Sequence, residues 1–262
     1  MTYTLVGTGN MAWFLSNKLQ EAGHRCMGLY GRNKTEASLL AAILNAPLLH
    51  QLFHIREGLA DCCILAVKDN AVAEVAAKIP LRDTVMIHTS GSLALDVIPS
   101  QNGAALWCIY SIVKNNYPQH RNIPVICEAG SIKALEKVKT IATTFSDTIQ
   151  QATWQQRQYL HLTAVMSNNF INHLLAICSE VCKETKVPFE LLTPIIIEQT
   201  FQRIKTKTPL DTQTGPAKRG DKNTIQRHLL LLQQHPEWQK VYEFLTASIE
   251  SMYKPVEKKK DC

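Results

Sequence analysis

The sequence contains no apolar run that approaches the about 20 residues a membrane-spanning helix requires. It also shows no basic leader with a short apolar core ahead of its first strand-like segment. We therefore expect a cytoplasmic protein with no membrane contact. Hydrophobic residues make up 45% of the 262 positions, a proportion typical of a globular chain with a sizeable core.

The eight cysteines include no C-x-x-C pair, which excludes the usual zinc-ribbon and thioredoxin motifs. Cys62 and Cys63 lie inside an apolar run of strand length, and Cys178 and Cys182 are one helical turn apart. This pattern indicates buried, reduced thiols rather than a disulfide framework. No metal site is predicted.

A basic face with interleaved aromatic residues, as nucleic-acid binding requires, is also missing. The formal charge of +6 is mild, and part of it comes from Lys258, Lys259 and Lys260. The local arginines and lysines are better explained by a small anionic ligand.

What the sequence does contain is a glycine motif at its start. The apolar run from Tyr3 to Val6 leads into Gly7-x-Gly9-x-x-Ala12, and a helical pattern follows. Gly7 suits a tight turn, Gly9 lets the backbone approach a pyrophosphate, and Ala12 allows close helix–strand packing. The unpaired amides of the helix suit a bound phosphate. The strand–turn–helix context favours dinucleotide binding over an ordinary βα turn.

The segment after the second predicted strand lacks the acid that NAD-specific sites place near the ribose hydroxyls. It reads Gly31-Arg-Asn-Lys34 instead. An arginine and a lysine attract a 2′-phosphate, so the cofactor predicted is NADP(H) rather than NAD. The alternative is that both side chains are exposed at the start of a helix and bind no ligand.

Two further strands deliver polar residues to the carboxyl edge of the sheet, where ligands of α/β sheets bind. Asp69 follows the strand that ends at Val67 and is interpreted as a helix N-cap. His88 is the last residue of the next strand, and it is either a proton donor or a structural histidine. The predicted cofactor-binding residues are Gly7, Thr8, Gly9, Asn10, Met11, Arg32, Asn33, Lys34, Ala66, Val67, Lys68 and Ser90.

Six or more strands alternate with helices over about 150 residues, which predicts a doubly wound parallel sheet. We assign residues 1–152 to this α/β Rossmann domain. From Trp154 onward only helical patterns are found, so 153–255 forms a second, all-α domain for dimerisation or substrate binding. Residues 256–262 form a charged tail.

The pattern from Trp154 to Lys186 predicts one long helix, apolar almost all round and therefore buried. At about 100° per residue, His161, Asn168 and Asn172 share one stripe, with Asn169 at its edge. Buried polar groups need partners. Either the stripe contacts another domain or chain, or it faces a ligand cleft between the domains.

The loop from Thr212 to Asp221 contains glycines, a proline and charges between apolar helices. Asp221 is predicted to cap the helix that carries His228. Lys218 and Arg219 are candidates for holding a substrate carboxylate or a cofactor phosphate; the alternative is a solvated charged loop.

Together the motifs resemble a Rossmann-like NADP oxidoreductase family related to pyrroline-5-carboxylate reductase and the 6-phosphogluconate dehydrogenase superfamily. The motifs that carry this resemblance, which covers nearly the whole chain, are Gly7–Ala12, Ile64–Asp69, His88–Gly91, Asn168–His173 and Thr214–Asp221. The resemblance implies an NADP-binding domain, a helical domain used in dimerisation and an oxidoreductase activity. Two features depart from it: the segment 108–114 lacks the proline that the family carries after its aromatic residue, and residues 160–175 contain no counterpart of the catalytic helix lysine of related hydroxyacid dehydrogenases.

The function predicted is NADP(H)-dependent hydride transfer to or from a small carbonyl, imine, hydroxy or amino substrate in the interdomain cleft. His161 and then His88 are the proton donors, and Asn168 and Asn169 polarise the substrate. Asn172, Lys218 and Arg219 are the substrate-binding residues. A non-catalytic NADP(H)-binding sensor or assembly protein is the alternative. A sugar-acid phosphate dehydrogenase that uses Lys218 and Arg219 is a third hypothesis.

Overall fold

The computed structural model describes residues 1–254, so the predicted charged tail lies outside the described residues. The chain divides into two compact units, Met1–Asn169 and Phe170–Cys262. This division lies beyond the predicted boundary at residue 152. The helix that begins at Trp154 belongs to the first unit, where its first amide donates to the Glu128 carboxylate at 3.0 Å. The change of composition at Trp154 therefore marks the end of the strands rather than the end of the compact unit.

Seven strands form one sheet in the first unit: β1 Thr2–Val6, β2 Arg25–Tyr30, β3 Cys62–Leu65, β4 Val85–His88, β5 Gly103–Cys108, β6 Val125–Ala129 and β7 Ile149–Gln151. Their order is β2-β1-β3-β4-β5-β6-β7. Neighbouring strands are parallel except β5 and β6, which are antiparallel. The predicted parallel sheet is thus confirmed, with one antiparallel pair that the sequence did not indicate. The connection 109–124 contains no helix, and helices are the usual crossover between parallel strands.

Helices cover both faces of the sheet, which confirms the doubly wound α/β fold. The helices of the first unit are α1 Asn10–Glu21, α2 Lys34–Ile43, α3 Asp69–Ala77, α4 Ile132–Ala142 and α5 Trp154–Ala164. Because side chains alternate along a strand, Ile64 of β3 joins Phe14 of α1 in one buried cluster, and Leu65 joins Val72 of α3 in another. Every residue of β3 is buried, as its continuous apolar sequence predicts.

The predicted long helix is not a continuous α-helix. A π-helical turn, Val165–Phe170, separates α5 from α6, Ile171–Glu184. The i→i+5 pairing of a π turn changes the rotation per residue, so the assumed spacing of about 100° fails across this segment. The helix is not buried either. Arg157 is the one buried residue of α5, and Leu162 is 52% exposed.

The second unit is helical, as expected. Beyond α6 its main helical segments are a π-helix Ile195–Gln202, α7 Pro209–Thr212, α8 Pro216–Arg219, α9 Lys222–Leu231 and α10 Pro236–Met252. The Asp221 carboxylate accepts the Thr224 amide at 3.1 Å and caps α9, which confirms that prediction. None of the helices among residues 1–254 is long and apolar enough to cross a membrane.

Cysteines are buried in the sheet but not in the helical unit. Cys26, Cys62, Cys63, Cys108 and Cys127 are buried and free, as expected. By contrast, Cys178 is exposed and Cys182 is half-buried. The expectation of buried thiols is therefore wrong for this pair, because α6 contributes no buried residue within a single chain.

Candidate functional site

Gly7 follows β1 and contacts the carboxyl ends of β2 and β3. Its φ of 126° lies where side chains are strained, and a Cβ at this position would lie 2.7 Å from the carbonyl carbon of Ala66, directly after β3. The Gly7 amide donates to the Tyr30 carbonyl at the end of β2, at 2.9 Å. No other residue fits here, so this glycine is required by the fold itself.

Gly9 is a different case. Its φ is −80°, which any residue adopts, and a Cβ added there would meet nothing within 4 Å. The chain's own packing therefore does not require a glycine here. Gly9 precedes α1, whose first amides have no side-chain cap, so a small residue leaves these donors accessible to an anion. This geometry fits the pyrophosphate of a dinucleotide.

A cavity of about 550 Å³ lies at the carboxyl ends of β1, β2 and β3. Parallel α/β sheets bind ligands at this point, where the strand order reverses on either side of β1. Of the predicted cofactor residues, the cavity is lined by Gly7, Thr8, Gly9, Arg32, Asn33, Val67 and Lys68. The glycine turn and the arginine after β2 thus come together as the sequence predicts.

The lining also includes charged residues that the sequence analysis missed. These are Glu36, Glu74, Lys78 and Lys114. Lys78 pairs with Glu74, and the Lys114 ammonium lies 2.6 Å from the Glu36 carboxylate. The hydrogen bond from Lys78 and its charge lower the pKa of Glu74, with a smaller contribution from Arg32. Within the described range 1–254, Arg32 and Lys68 form no ion pair, so the cavity keeps two unpaired cations.

Asn33 and four further predicted cofactor residues have structural contacts. The Asn33 side chain accepts the Glu36 amide and caps α2, and the Asn10 side chain accepts the Lys114 amide at 3.1 Å. The Lys34 ammonium lies over the Tyr30 ring, 5.0 Å from its centroid. Met11 packs against the core, and Ala66 is buried where it faces Gly7. For these five residues a direct cofactor contact stays a prediction.

Ser90 and Asp69 form a hydroxyl–carboxylate cluster. The Ser90 hydroxyl donates to the Asp69 carboxylate at 2.7 Å, and Ser92 donates to the same oxygen at 2.8 Å. The interpretation of Asp69 as an N-cap is wrong, because α3 begins at Asp69 itself and has no side-chain cap. Buried Ser90 also accepts the amides of Ser92 and Leu93, so its hydroxyl is fully engaged within the protein. These contacts give Ser90 a structural role, and its cofactor contact stays a prediction.

His88 has the wrong environment for a proton donor. The side chain is fully buried, and its Nδ1 accepts the Ser90 amide at 3.3 Å. Burial and then the charge of Arg157 lower the pKa of His88 to about 4, against an opposing effect of Asp69. His88 lines neither the dinucleotide cavity nor the cavity that contains His161. His88 is therefore the structural histidine of the two alternatives.

His161 lines a second cavity of about 760 Å³, formed by the end of β5, the loop after it and the helix from Leu160 to Asn169. Its ring meets Trp107 edge to face, with centroids 5.5 Å apart. A Cβ on Gly91 would lie 2.8 Å from the His161 ring and 2.7 Å from Trp107, so both rings rest against this glycine.

Asn168 and Asn169 lie in the π turn and line the same cavity as His161. Single π turns occur frequently at functional sites. The structure therefore brings three of the four predicted catalytic residues to one cavity within the first unit. Tyr110 and Ser111, which the sequence analysis did not single out, line it too.

The predicted substrate-binding residues lie in the second unit. Asn172 is exposed on α6. The Lys218 ammonium donates to the Gln213 carbonyl at 2.8 Å and lies 4.8 Å from the centroid of the Tyr253 ring. Arg219 is exposed in the last turn of α8. Their contact with a substrate stays a prediction.

A buried ion pair was also missed. Arg157 of α5 is fully buried; it donates to the Glu128 carboxylate at 2.6 Å and to the Ser90 carbonyl at 3.0 Å. Arg157 precedes His161 by one helical turn, a spacing that places both on one face of α5. That spacing is visible in the sequence, whereas the acidic partner 29 residues away is not.

The fold and the two cavities define a Rossmann-type dinucleotide-binding unit followed by a helical unit. A family model described as a domain of unknown function, DUF2520, matches residues 123–249. The crystal structure of a putative NADP oxidoreductase from Bacteroides fragilis is 32% identical, over 95% of this chain and 98% of its own, with a TM-score of 0.83. The chain belongs to the family of this oxidoreductase, which confirms the predicted Rossmann-like NADP oxidoreductase family.

More distant structures share the fold alone. An imine reductase from Myxococcus stipitatus in complex with NADP⁺ is 13% identical, over 97% of this chain and 93% of its own, with a TM-score of 0.68. A 1-pyrroline-5-carboxylate reductase from Streptococcus pyogenes is 14% identical, over 96% and 98%, with a TM-score of 0.62. No curated protein sequence matches the chain.

Proposed function

We propose that this protein is an NADP(H)-dependent oxidoreductase that transfers hydride between the nicotinamide and a small carbonyl or imine carbon. One observation carries the proposal: the segment after β5 lines both cavities, with Tyr110 and Ser111 at the His161 cavity and Lys114 at the dinucleotide cavity. The two cavities thus adjoin one short segment, and this arrangement supports a cofactor and a substrate bound close together, as hydride transfer requires.

The cofactor is NADP(H). Arg32 lines the cavity after β2, where a 2′-phosphate is recognised in sheets of this type. The Bacteroides relative is described as a putative NADP oxidoreductase, and the imine reductase was solved with NADP⁺. Gly9 leaves the amides of α1 open to the pyrophosphate, and unpaired Lys68 adds positive charge at the cavity wall.

In the reductive direction the nicotinamide supplies the hydride and the protein supplies orientation and a proton. His161 gives a proton to the carbonyl oxygen or imine nitrogen, while hydride adds to the carbon. Asn168 and Asn169 donate hydrogen bonds that polarise the same double bond. His161 suits the donor role because its ring lines the cavity and is positioned by Trp107. His88 is not retained in this role, because it is buried and of low pKa.

The cavity that carries His161 is lined by amides, hydroxyls, an imidazole and apolar side chains, and its lining contains no Asp, Glu, Lys or Arg. Such a lining favours a small neutral or weakly polar carbonyl or imine compound over a phosphorylated one. The sugar-acid phosphate hypothesis depends on Lys218 and Arg219, and the contacts of Lys218 within the second unit do not favour it.

The test is saturable oxidation of NADPH by the full chain with a panel of small ketones, aldehydes and cyclic imines. We expect turnover with at least one member, and we expect His161→Ala to lower kcat by about 100-fold or more while NADPH affinity stays unchanged. Equal loss of turnover and NADPH affinity would exclude His161 as the donor. NADPH binding without turnover across the panel would favour the non-catalytic sensor, which the missing helix lysine also favours.

We further propose a homodimer, because apolar side chains remain exposed in the helical region. In the first unit Met166 is 53% exposed, and in the second unit Phe244 is 75% exposed. Large exposed apolar areas mark interaction surfaces, and a second copy would cover them. Sedimentation or light scattering at micromolar concentration tests this, with Phe244→Glu expected to shift the mass towards the monomer. The cytoplasmic location stays a prediction.

A further inference from the structure

The dinucleotide cavity contains a carboxylate that conflicts with an NADP site. Glu36 lies in the first turn of α2, directly beyond β2, and lines the cavity beside Arg32 and Asn33. NAD-specific sites use an acidic residue after this strand to accept hydrogen bonds from the ribose hydroxyls, and such a residue repels a 2′-phosphate. A free Glu36 would therefore favour NADH.

Lys114 neutralises that carboxylate from a distant part of the chain. Its ammonium lies 2.6 Å from Glu36 Oε2 and 3.9 Å from the centroid of the Trp13 ring. Its backbone amide donates to Asn10 Oδ1 at 3.1 Å. Three contacts hold Lys114 in place, so the pair is more ordered than an isolated surface ion pair.

The other charged residues of the cavity show how the Lys114–Glu36 pair affects the charge that a ligand meets. The second carboxylate, Glu74, is neutralised by Lys78, and Arg32 and Lys68 are left over. Four cations and two carboxylates line the cavity, and because both carboxylates are paired, the two excess positive charges lie on Arg32 and Lys68. Lys114 is the residue that supplies this balance on the α2 side, where Arg32 and Asn33 lie.

We propose that Lys114 determines the preference for NADPH over NADH by masking Glu36. With Lys114 present, Glu36 neither repels the 2′-phosphate nor is free to accept from a 2′-hydroxyl. Without Lys114, the site has a free acidic residue beyond β2, as NAD-specific sites do, together with Arg32. This inference rests on the dinucleotide site of the proposed function but does not require turnover.

The experiment measures the dissociation constants of NADPH and NADH for the full chain by calorimetric titration, in the wild type, four variants of the pair and one control variant. Lys114→Met is expected to lower the preference for NADPH over NADH by about tenfold at low salt, an effect that shrinks as salt screens the charges. Lys114→Arg keeps the charge and is expected to keep the preference. Glu36→Gln alone is expected to raise the preference for NADPH. The double variant Lys114→Met/Glu36→Gln is expected to restore the wild-type preference, because the carboxylate that Lys114 masks is no longer present.

A second ion pair offers a matched control. Lys137 and Asp61 lie 2.9 Å apart, and their side chains are 29% and 37% exposed, against 26% and 36% for Lys114 and Glu36. Asp61 accepts from the Thr2 amide at the amino end of the sheet, away from the cavity. Lys137→Met is expected to leave the nucleotide preference unchanged.

Three results would overturn the proposal: an unchanged preference in Lys114→Met, an equal loss of affinity for both nucleotides, or a lowered preference in Glu36→Gln. The Glu36→Gln variant keeps Lys114 and its other anchors, so it decides the question even if Lys114→Met folds poorly. Absence of turnover with every substrate would contradict the proposed function while leaving this result intact. An unchanged preference in an enzyme that turns over would contradict only the inference.

Discussion

The imidazole of His161 lies edge to face against the indole of Trp107, with the ring centroids 5.5 Å apart and the planes at 61°. His161 belongs to a helix and Trp107 to the fifth strand, so this pair ties α5 to the carboxyl end of β5. Both rings rest on Gly91, which has no side chain to displace them. The position of the proposed proton donor therefore depends on a tryptophan and a glycine as well as on its own helix.

We expect Gly91→Ala to disturb that position. The added methyl group would lie 2.8 Å or less from both rings, so one of them must move, and misplacement of a catalytic group by about 1 Å can cost as much as 100-fold in rate. The prediction is a kcat lowered by about tenfold to 100-fold with unchanged NADPH affinity. Gly103→Ala is the control, because its Cβ would meet Ile98 at an ordinary 3.4 Å. Equal rates in the two variants would contradict the positioning role of Gly91.

Arg32→Ala should weaken binding of NADPH but not of NADH. Arg32 lines the cavity without an acidic partner among residues 1–254, and an arginine–phosphate contact is a strong, charge-assisted one. We expect a loss of about tenfold or more for NADPH and less than about twofold for NADH. Lys34→Ala is the matched control, because its ammonium lies over the Tyr30 ring. A larger effect of Lys34 than of Arg32 would assign the phosphate to the lysine.

Loss of Arg157 should destabilise the first unit. Arg157→Met leaves the mostly buried Glu128 carboxylate without its cation, and breaking a buried pair typically costs about 3–5 kcal/mol. Urea denaturation should report a decrease near the lower end of that range, with part of it recovered in Arg157→Met/Glu128→Gln. Lys137→Met, at a half-exposed pair, should cost about 1 kcal/mol or less. Similar costs for the buried and half-exposed pairs would show that burial of Arg157 contributes little.

Neutral, buried His88 should make stability depend on pH. Its pKa of about 4 in the folded chain lies below the value of about 6.5 in an unfolded one, so acidification protonates the unfolded state first. The stabilisation that neutral His88 gives to the folded chain is complete above about pH 6.5 and is lost as the pH falls towards 4. The total loss in the free energy of unfolding is about 3 kcal/mol. Urea titrations between pH 7.5 and 4.5 should show a flatter profile for His88→Gln than for the wild type. The exposed His120→Gln serves as control and should retain the wild-type slope.

The elements that the sequence predicted well depend on neighbours along the chain. The strand, glycine turn and helix at Gly7–Ala12 form from local backbone preferences, and so does the cap that Asp221 places on α9. The continuous apolar character of β3 follows from burial on both faces, which any strand in the middle of such a sheet shares. Fold class and family were therefore accessible without coordinates.

Features created by contacts between distant residues could not be predicted from the sequence. The antiparallel pairing of β5 with β6 and the π turn at Asn168 are decided by packing, and an assumed regular periodicity missed both. Glu36 and Lys114 are 78 residues apart, and Arg157 and Glu128 are 29 apart. Nothing local in the sequence shows which acid a given cation will meet, because that depends on how the chain returns to the same edge of the sheet. The amino-acid sequence by itself determined the kind of nucleotide turn and the residue types available to the site. The tertiary structure decided that Glu36 pairs with Lys114 and that His88 is buried, because both depend on contacts between segments distant in the chain.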